Sequence, residues 1–320
     1  MRAVIEETLR RIAPHIRQTE CRQAPALSSE VGAEIFLKLE NTQHSASFKL
    51  RGVINKILSL SDDDSQKLLV AASTGNHAAA FAHALILFGL RGRLFMPKTS
   101  TAVKVENIRS TGVPFELVGD DCIEGEAHAA AFAHSGGHVW ISPYNDLEVV
   151  LGQGTVAVEL MEQLEEIDTV LVPVGGGGLI AGIASYLNAV DPSIEVIGCQ
   201  PVNSCVMYES IKAGEILDLE SLPTIADGVA GGIEAASITF DLCRRHVDSF
   251  IILEEAEIVS AMRFLHEKEG LTVEGAAALS TAAVLKNKER FAGRRVALIV
   301  SGGRVDEATM AEVLKDEVTA

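Results

Sequence analysis

Apolar runs alternate with amphipathic stretches along most of this chain, and that alternation sets the first expectations. The runs Glu34–Glu40, Leu68–Ala72, Arg93–Met96, Pro114–Val118, His138–Ile141, Thr169–Val174, Glu195–Cys199 and Arg295–Val300 have the length and branched-residue content of strands. Helical patterns fall between them: Lys49 to about Leu60, an alanine-rich stretch to about Phe88, Thr101–Ser110, Ile123–Ala133, Glu148–Glu165, one starting at Leu179, Glu255–Lys268 and Glu274–Lys286. Strand and helix in this order predict an α/β chain with parallel sheets covered by helices on both faces. The stretch from Gln200 to about Gly232 is less regular. No repeat, low-complexity tract or long linker separates the parts. Two closely packed sheet domains are therefore expected, a large one of residues 1–52 with 147–320 and a small one of 53–146.

Ligands of open parallel sheets sit at the carboxyl ends of the strands, so the turns there carry the candidate chemistry. Gly175, Gly176, Gly177 and Gly178 follow an apolar strand and precede a helix. Four residues without side chains at a helix N-terminus make a cup for an anion such as phosphate. No Gly-Lys-Ser/Thr follows, and the spacing is not GxGxxG, so neither nucleotide motif applies. Ser73, Thr74, Gly75 and Asn76 open a second helix whose free amides suit a carboxylate, with Ser73 or Thr74 also expected to cap it. The Asn76 amide has a donor for a phenolic oxygen. His77 is expected to be structural. Ser301 ends a third strand, where its hydroxyl can face a ring nitrogen. Lys49 follows Ser45-Ala46-Ser47-Phe48, a small and apolar setting in which desolvation lowers an amine's pKa and frees its lone pair for an imine. Imine, phosphate cup, phenolate donor and ring-nitrogen partner together describe a site for pyridoxal 5'-phosphate.

Charge narrows the partners. With 27 basic against 44 acidic residues among 320, the formal charge of -17 argues against nucleic acid and anionic membranes. No apolar run is long enough to span a bilayer, and the first residues lack the apolar core of a secretory signal. The five cysteines, Cys21, Cys122, Cys199, Cys205 and Cys243, make no CxxC pair or metal-ligand spacing, which suggests reduced structural thiols in a cytoplasm.

The motifs Ser45-Ala46-Ser47-Phe48-Lys49-Leu50-Arg51-Gly52, Ala72-Ser73-Thr74-Gly75-Asn76-His77, Gly152-Gln153-Gly154-Thr155, Pro173 to Leu179, Ala226-Asp227-Gly228 and Ser301-Gly302-Gly303 occur in one order between about Ile16 and Asp306. On these the chain resembles the fold type II (tryptophan synthase β-like) pyridoxal-phosphate enzymes, within the serine/threonine dehydratase and serine racemase group. The resemblance implies Lys49 as Schiff-base lysine and general base, Phe48 against the cofactor ring, and Asn76 on the phenolic oxygen. It further implies Gly175 to Leu179 as the phosphate loop, Ser301 on the pyridine nitrogen, and Ser73, Thr74, Gly75 and Asn76 around the substrate carboxylate. The implied activity is loss of water from a serine- or threonine-like β-hydroxy amino acid, giving a 2-oxo acid and ammonia. The implied assembly is a homodimer.

Departures from the family pattern refine this. Thr74 stands where many dehydratases have alanine and racemase-like members have serine, so amino-acid racemisation is an alternative. Gln200 and Val206 replace carboxylates of a cation site found in some members, so no metal is expected around Gln200, Ser204 and Val206. Arg304 stands where many relatives have asparagine. The regulatory domain of biosynthetic threonine dehydratases is not expected. Glu234, in the loop Gly231-Gly232-Ile233-Glu234, is the candidate for contacting the substrate side chain, with a polar or basic substituent in view. The chain also resembles the dehydratase branch of hydroxyectoine breakdown, whose substrates are larger hydroxylated diamino acids, and phenylserine-type substrates stay open.

Overall fold

The computed structural model describes residues 1–119 and 122–315, without the side chain of Cys122. Among the described residues ten strands form two sheets: β1 (Cys21–Gln23), β2 (Glu34–Lys38), β3 (Leu69–Ala72), β4 (Gly92–Met96), β5 (Phe115–Leu117), β6 (Val139–Trp140), β7 (Thr169–Pro173), β8 (Glu195–Pro201), β9 (Ser249–Leu253) and β10 (Arg295–Ile299). The six-stranded sheet runs β1-β2-β10-β7-β8-β9 and the four-stranded sheet β5-β4-β3-β6. Only β1 against β2 is antiparallel among these pairs.

The side-chain period of two explains how each sheet is covered twice. Along β10, Val296 and Leu298 enter one apolar cluster with Leu37, Leu171 and Ile197, while Ala297 and Ile299 enter the opposite one with Val170, Val172 and Val196. In the small sheet, Leu69 and Ala71 face one way and Val70 and Ala72 the other. The β7 and β3 residues are all buried, which is why their sequences read as unbroken apolar runs.

The observed strands depart from the expected spans by a few residues at their ends. β1 and β9 were not anticipated: β1 is three mostly polar residues, recruited only by pairing with β2. The stretch after Gln200 contains a helix, Val206–Ala213, stopped by Gly214 at φ +84°. A further helix covers Ile238–His246, capped by Ser237.

The helix that begins at Lys49 ends at Leu58 and lies on the Leu147–Gln163 helix, where the Gly52 amide donates to Gln153 Oε1 at 3.2 Å. Beneath it sits a buried cluster of charges. Arg51 donates to both oxygens of Glu40 at 2.8 Å and to both of Glu159 at 2.6 and 2.8 Å. Lys38 adds a 2.7 Å bond to Glu159, and Thr19 donates to Glu40 at 2.5 Å. Lys38, Glu40 and Arg51 are 0% exposed and Glu159 1%, so the two cations and two anions compensate one another.

Candidate active site

A cavity of about 1010 Å³ opens between the turns at the carboxyl ends of the two sheets, lined from both. Lys49, Ser73, Thr74, Gly75, Asn76, Gly175 and Gly176 all face it, so most of the residues singled out in the sequence converge. A smaller recess of about 50 Å³ shares Lys49, Asn76 and the glycine loop and adds Phe48, Leu179 and Ser301.

Lys49 reaches this space from the first turn of its helix. The approach is tight: Ala46 has a left-handed φ of 61°, and Ser47 bridges to Gly302. The Lys49 Nζ donates to the Pro143 carbonyl at 2.9 Å and lies 5.4 Å from the centre of the Phe48 ring. Burial depresses its pKa to about 8, against the opposing fields of Glu126 and Glu274. A useful fraction of the amine is therefore neutral near physiological pH.

Gly177, at φ +87°, caps the helix Gly178–Val190 and turns the loop so that its amides gather at the helix start. Side chains there would collide with neighbours. A Cβ on Gly176 would fall 2.5 Å from the Tyr144 ring, and one on Gly175 3.0 Å from the Val229 Cα. The glycines thus serve close packing of Tyr144 as well as an open cup.

The helix Asn76–Phe88 has Gly75 as its N-cap and no side-chain cap, which corrects the expectation that Ser73 or Thr74 caps it. Ser73 Oγ instead accepts from the Gly75 amide at 3.1 Å in a local turn, and Thr74 lines the cavity. His77 is buried, with Nε2 2.9 Å from the Ile141 carbonyl oxygen, and burial lowers its pKa to about 3. It is a neutral structural group.

Glu234, expected at the substrate, is not among the residues lining the cavity, although Gly231 and Gly232 of its loop are; its carboxylate accepts from Asn145 Nδ2 at 2.6 Å and its amide donates to Tyr144 Oη at 2.9 Å. It ties the Gly231 to Glu234 loop to the turn after β6. Arg304 lines the cavity, with Nε 3.3 Å from the Ser45 carbonyl oxygen. Gln200 Oε1 accepts from the Tyr208 amide at 2.8 Å, and Ser204 Oγ bonds Ser221 Oγ at 2.8 Å. No group of three or more potential metal ligands occurs among the described residues.

Sequence reasoning gave no site role to five residues that line this space. Pro143 and Tyr144 follow β6, and the strand-end rule used for the other turns also applied there. Glu274, 5% exposed, precedes the helix Gly275–Lys286 and had been read only as its start. Lys104 and Asp227 pair at 2.8 Å across the cavity wall.

These residues fit pyridoxal phosphate on grounds of their own. The Asn76 Nδ2 gives one N–H to Glu274 and has a second to donate, the amine of Lys49 is desolvated, and the glycine loop leaves a helix N-terminus open beside both. Gly175 to Leu179 would hold the phosphate, Asn76 the phenolic oxygen and Ser301 the ring nitrogen.

A family described as "Pyridoxal-phosphate dependent enzyme" matches residues 12–302. An L-threonine ammonia-lyase of Thermotoga maritima is 38% identical over 302 residues, covering 94% of this chain and 75% of the relative. A beta-hydroxyaspartate dehydratase of Paracoccus denitrificans is 37% identical over 297 residues, covering 92% and 93%. Among solved structures, maize serine racemase superposes with a TM-score of 0.89 at 34% identity, covering 97% of this chain and 96% of the other. The fold of these relatives is the fold type II architecture expected from the motifs.

Proposed function

This chain belongs to the pyridoxal-phosphate dependent enzyme family, and on that footing we propose that it eliminates water from a β-hydroxy amino acid, releasing a 2-oxo acid and ammonia. The observation that carries the reading is the depressed Lys49 amine, held by the Pro143 carbonyl in a cavity that also contains a helix N-terminus and a glycine loop. The bound cofactor supplies the electron sink that acidifies the substrate's Cα–H bond.

The protein's part is positioning and proton transfer. Amides at Ser73 to Asn76 take the substrate carboxylate, since the helix N-terminus favours an anion. Lys49 Nζ, neutral in a useful fraction near pH 8, takes the Cα proton.

Substrate choice is the finer part of the proposal. The space of about 1010 Å³ takes cofactor and substrate together, and bulkier hydroxylated amino acids belong in the test beside serine and threonine. The decisive assay is release of 2-oxo acid and ammonia from L-serine, L-threonine, 3-hydroxyaspartate, phenylserine and hydroxylated diamino acids, with Lys49→Ala as control. Turnover of at least one member, lost in Lys49→Ala, supports the reading; silence of the whole panel sinks it. Racemisation is the second reading, favoured by Thr74 in the cavity lining, and a chiral assay that finds no D-serine from L-serine removes it. We further propose a cytoplasmic homodimer with the domain limits 1–52 plus 147–320 and 53–146. Light scattering at the 34.1 kDa of one chain would refute the dimer. No helix among the described residues is long and apolar enough to cross a membrane.

A further inference from the structure

Asn76 meets a carboxylate on one side. Its Nδ2 donates to Glu274 Oε1 at 2.6 Å, while the other oxygen, Oε2, accepts from the Arg304 amide at 3.2 Å. The pair is clamped: a Cβ on Gly302 would fall 2.3 Å from Glu274 Oε1 and 2.9 Å from Asn76 Nδ2. Asn76 lines the recess together with Lys49 and Ser301, and its Oδ1 is buried without a partner.

An amide side chain has a donor end and an acceptor end of nearly equal shape, so its neighbours decide which way it points. A carboxylate accepts at both oxygens. Glu274 can therefore receive Asn76 and the Arg304 amide at once and still oblige Asn76 to keep its nitrogen inward. One N–H of that nitrogen is spent on Glu274, and the second remains for an acceptor in the recess.

We propose that Glu274 is a positioning residue that fixes the Asn76 amide with its nitrogen toward the cofactor's phenolic oxygen. This rests on Asn76 being the phenolic-oxygen partner, but not on which substrate is turned over. Burial holds the Glu274 pKa up near 7, with the Asp227 field in the same direction and Asn76 and Arg304 opposing it. The charge that enforces the orientation is thus present in about half of the molecules at pH 7 and grows as pH rises.

The test uses holoenzyme and the visible absorbance of the lysine-bound cofactor, whose two bands report the ionised and neutral phenolic forms. Glu274→Gln has a single acceptor oxygen for two donors, so Asn76 turns or loses its anchor. The ratio of ionised to neutral form should then fall about tenfold, the scale of one charge-assisted hydrogen bond. Glu274→Asp, which keeps two acceptor oxygens, should recover most of it. In an Asn76→Ala background, Glu274→Gln should change the ratio no further. A wild-type ratio in Glu274→Gln, or an equal fall with and without Asn76, overturns the proposal. Should Glu274→Gln give no folded holoenzyme, Glu274→Ala, which removes both acceptor oxygens, carries the same comparison alone and with Asn76→Ala, and an equal fall in both backgrounds again overturns it. No substrate enters the measurement, so its outcome is separate from that of the turnover panel.

Discussion

Gly52 and Gly152 meet backbone to backbone: a Cβ on Gly152 would fall 2.6 Å from the Gly52 Cα and 2.6 Å from the Arg51 carbonyl oxygen. The helix carrying Lys49 therefore lies as near its neighbour as two helices without side chains at the crossing allow. Gly152→Ala should push it outward, costing about 1–3 kcal/mol of stability. Denaturant unfolding measures the first effect, and a weakened cofactor absorbance reports the displaced lysine. Unchanged values for both would show that the crossing yields freely.

Attachment of the cofactor aldehyde needs the neutral Lys49 amine. Because burial brings its pKa to about 8, the rate of absorbance growth when apoprotein meets pyridoxal phosphate should rise with pH through a midpoint near 8. An ordinary exposed lysine would place that midpoint about two units higher. A midpoint above 10 would contradict the depressed amine.

Removing one member of the buried charge cluster strands the others. Glu159→Gln leaves Lys38 and Arg51 facing one carboxylate, Glu40, in a region sealed from water. The expected cost is about 3–5 kcal/mol in urea unfolding. A loss under 1 kcal/mol would mean that water enters the site and screens the charges.

His77 ties stability to acidity. Its folded pKa is lowered to about 3 by burial, below its ordinary value of 6.5, so the unfolded chain binds the proton first. The stabilising contribution is complete above pH 6.5 and drains away as pH falls from there toward 3. Comparison with His77→Gln isolates it: the variant should lose less stability than the wild type between pH 6.5 and 4. Parallel losses would assign the acid sensitivity to other groups.

Much of the site was legible because its parts are local. A glycine run after an apolar strand, or a lysine after small residues, carries its meaning within a few positions, and Lys49, Asn76 and Gly175 to Gly178 do line one space. What was missed depends on distant partners. Lys38 looks like a solvent-facing residue of an alternating strand until Glu159, 121 positions away, meets it in the interior. Glu274 reads as an ordinary helix start until Asn76, 198 positions earlier, takes its oxygen. β1 has almost no strand character of its own and exists through its ladder with β2. Glu234 was singled out for the loop it occupies, but whether that loop meets substrate turns on Asn145, which holds its carboxylate.

The insertion of β10 between β2 and β7 also governs the order in which the molecule can be made. Arg295 pairs with Glu34, 261 positions earlier, whereas the four-stranded sheet draws only on the contiguous stretch from Leu69 to Trp140. During synthesis the small sheet can close while the ribosome is still far from β10, but β2 waits with one edge open. The turn before Lys49 waits with it, since Phe48 donates to the Ser301 carbonyl and Ala46 accepts from the Gly303 amide. The lysine is thus translated well before the residues at 301–303 that complete its setting, and is among the last to reach its working position.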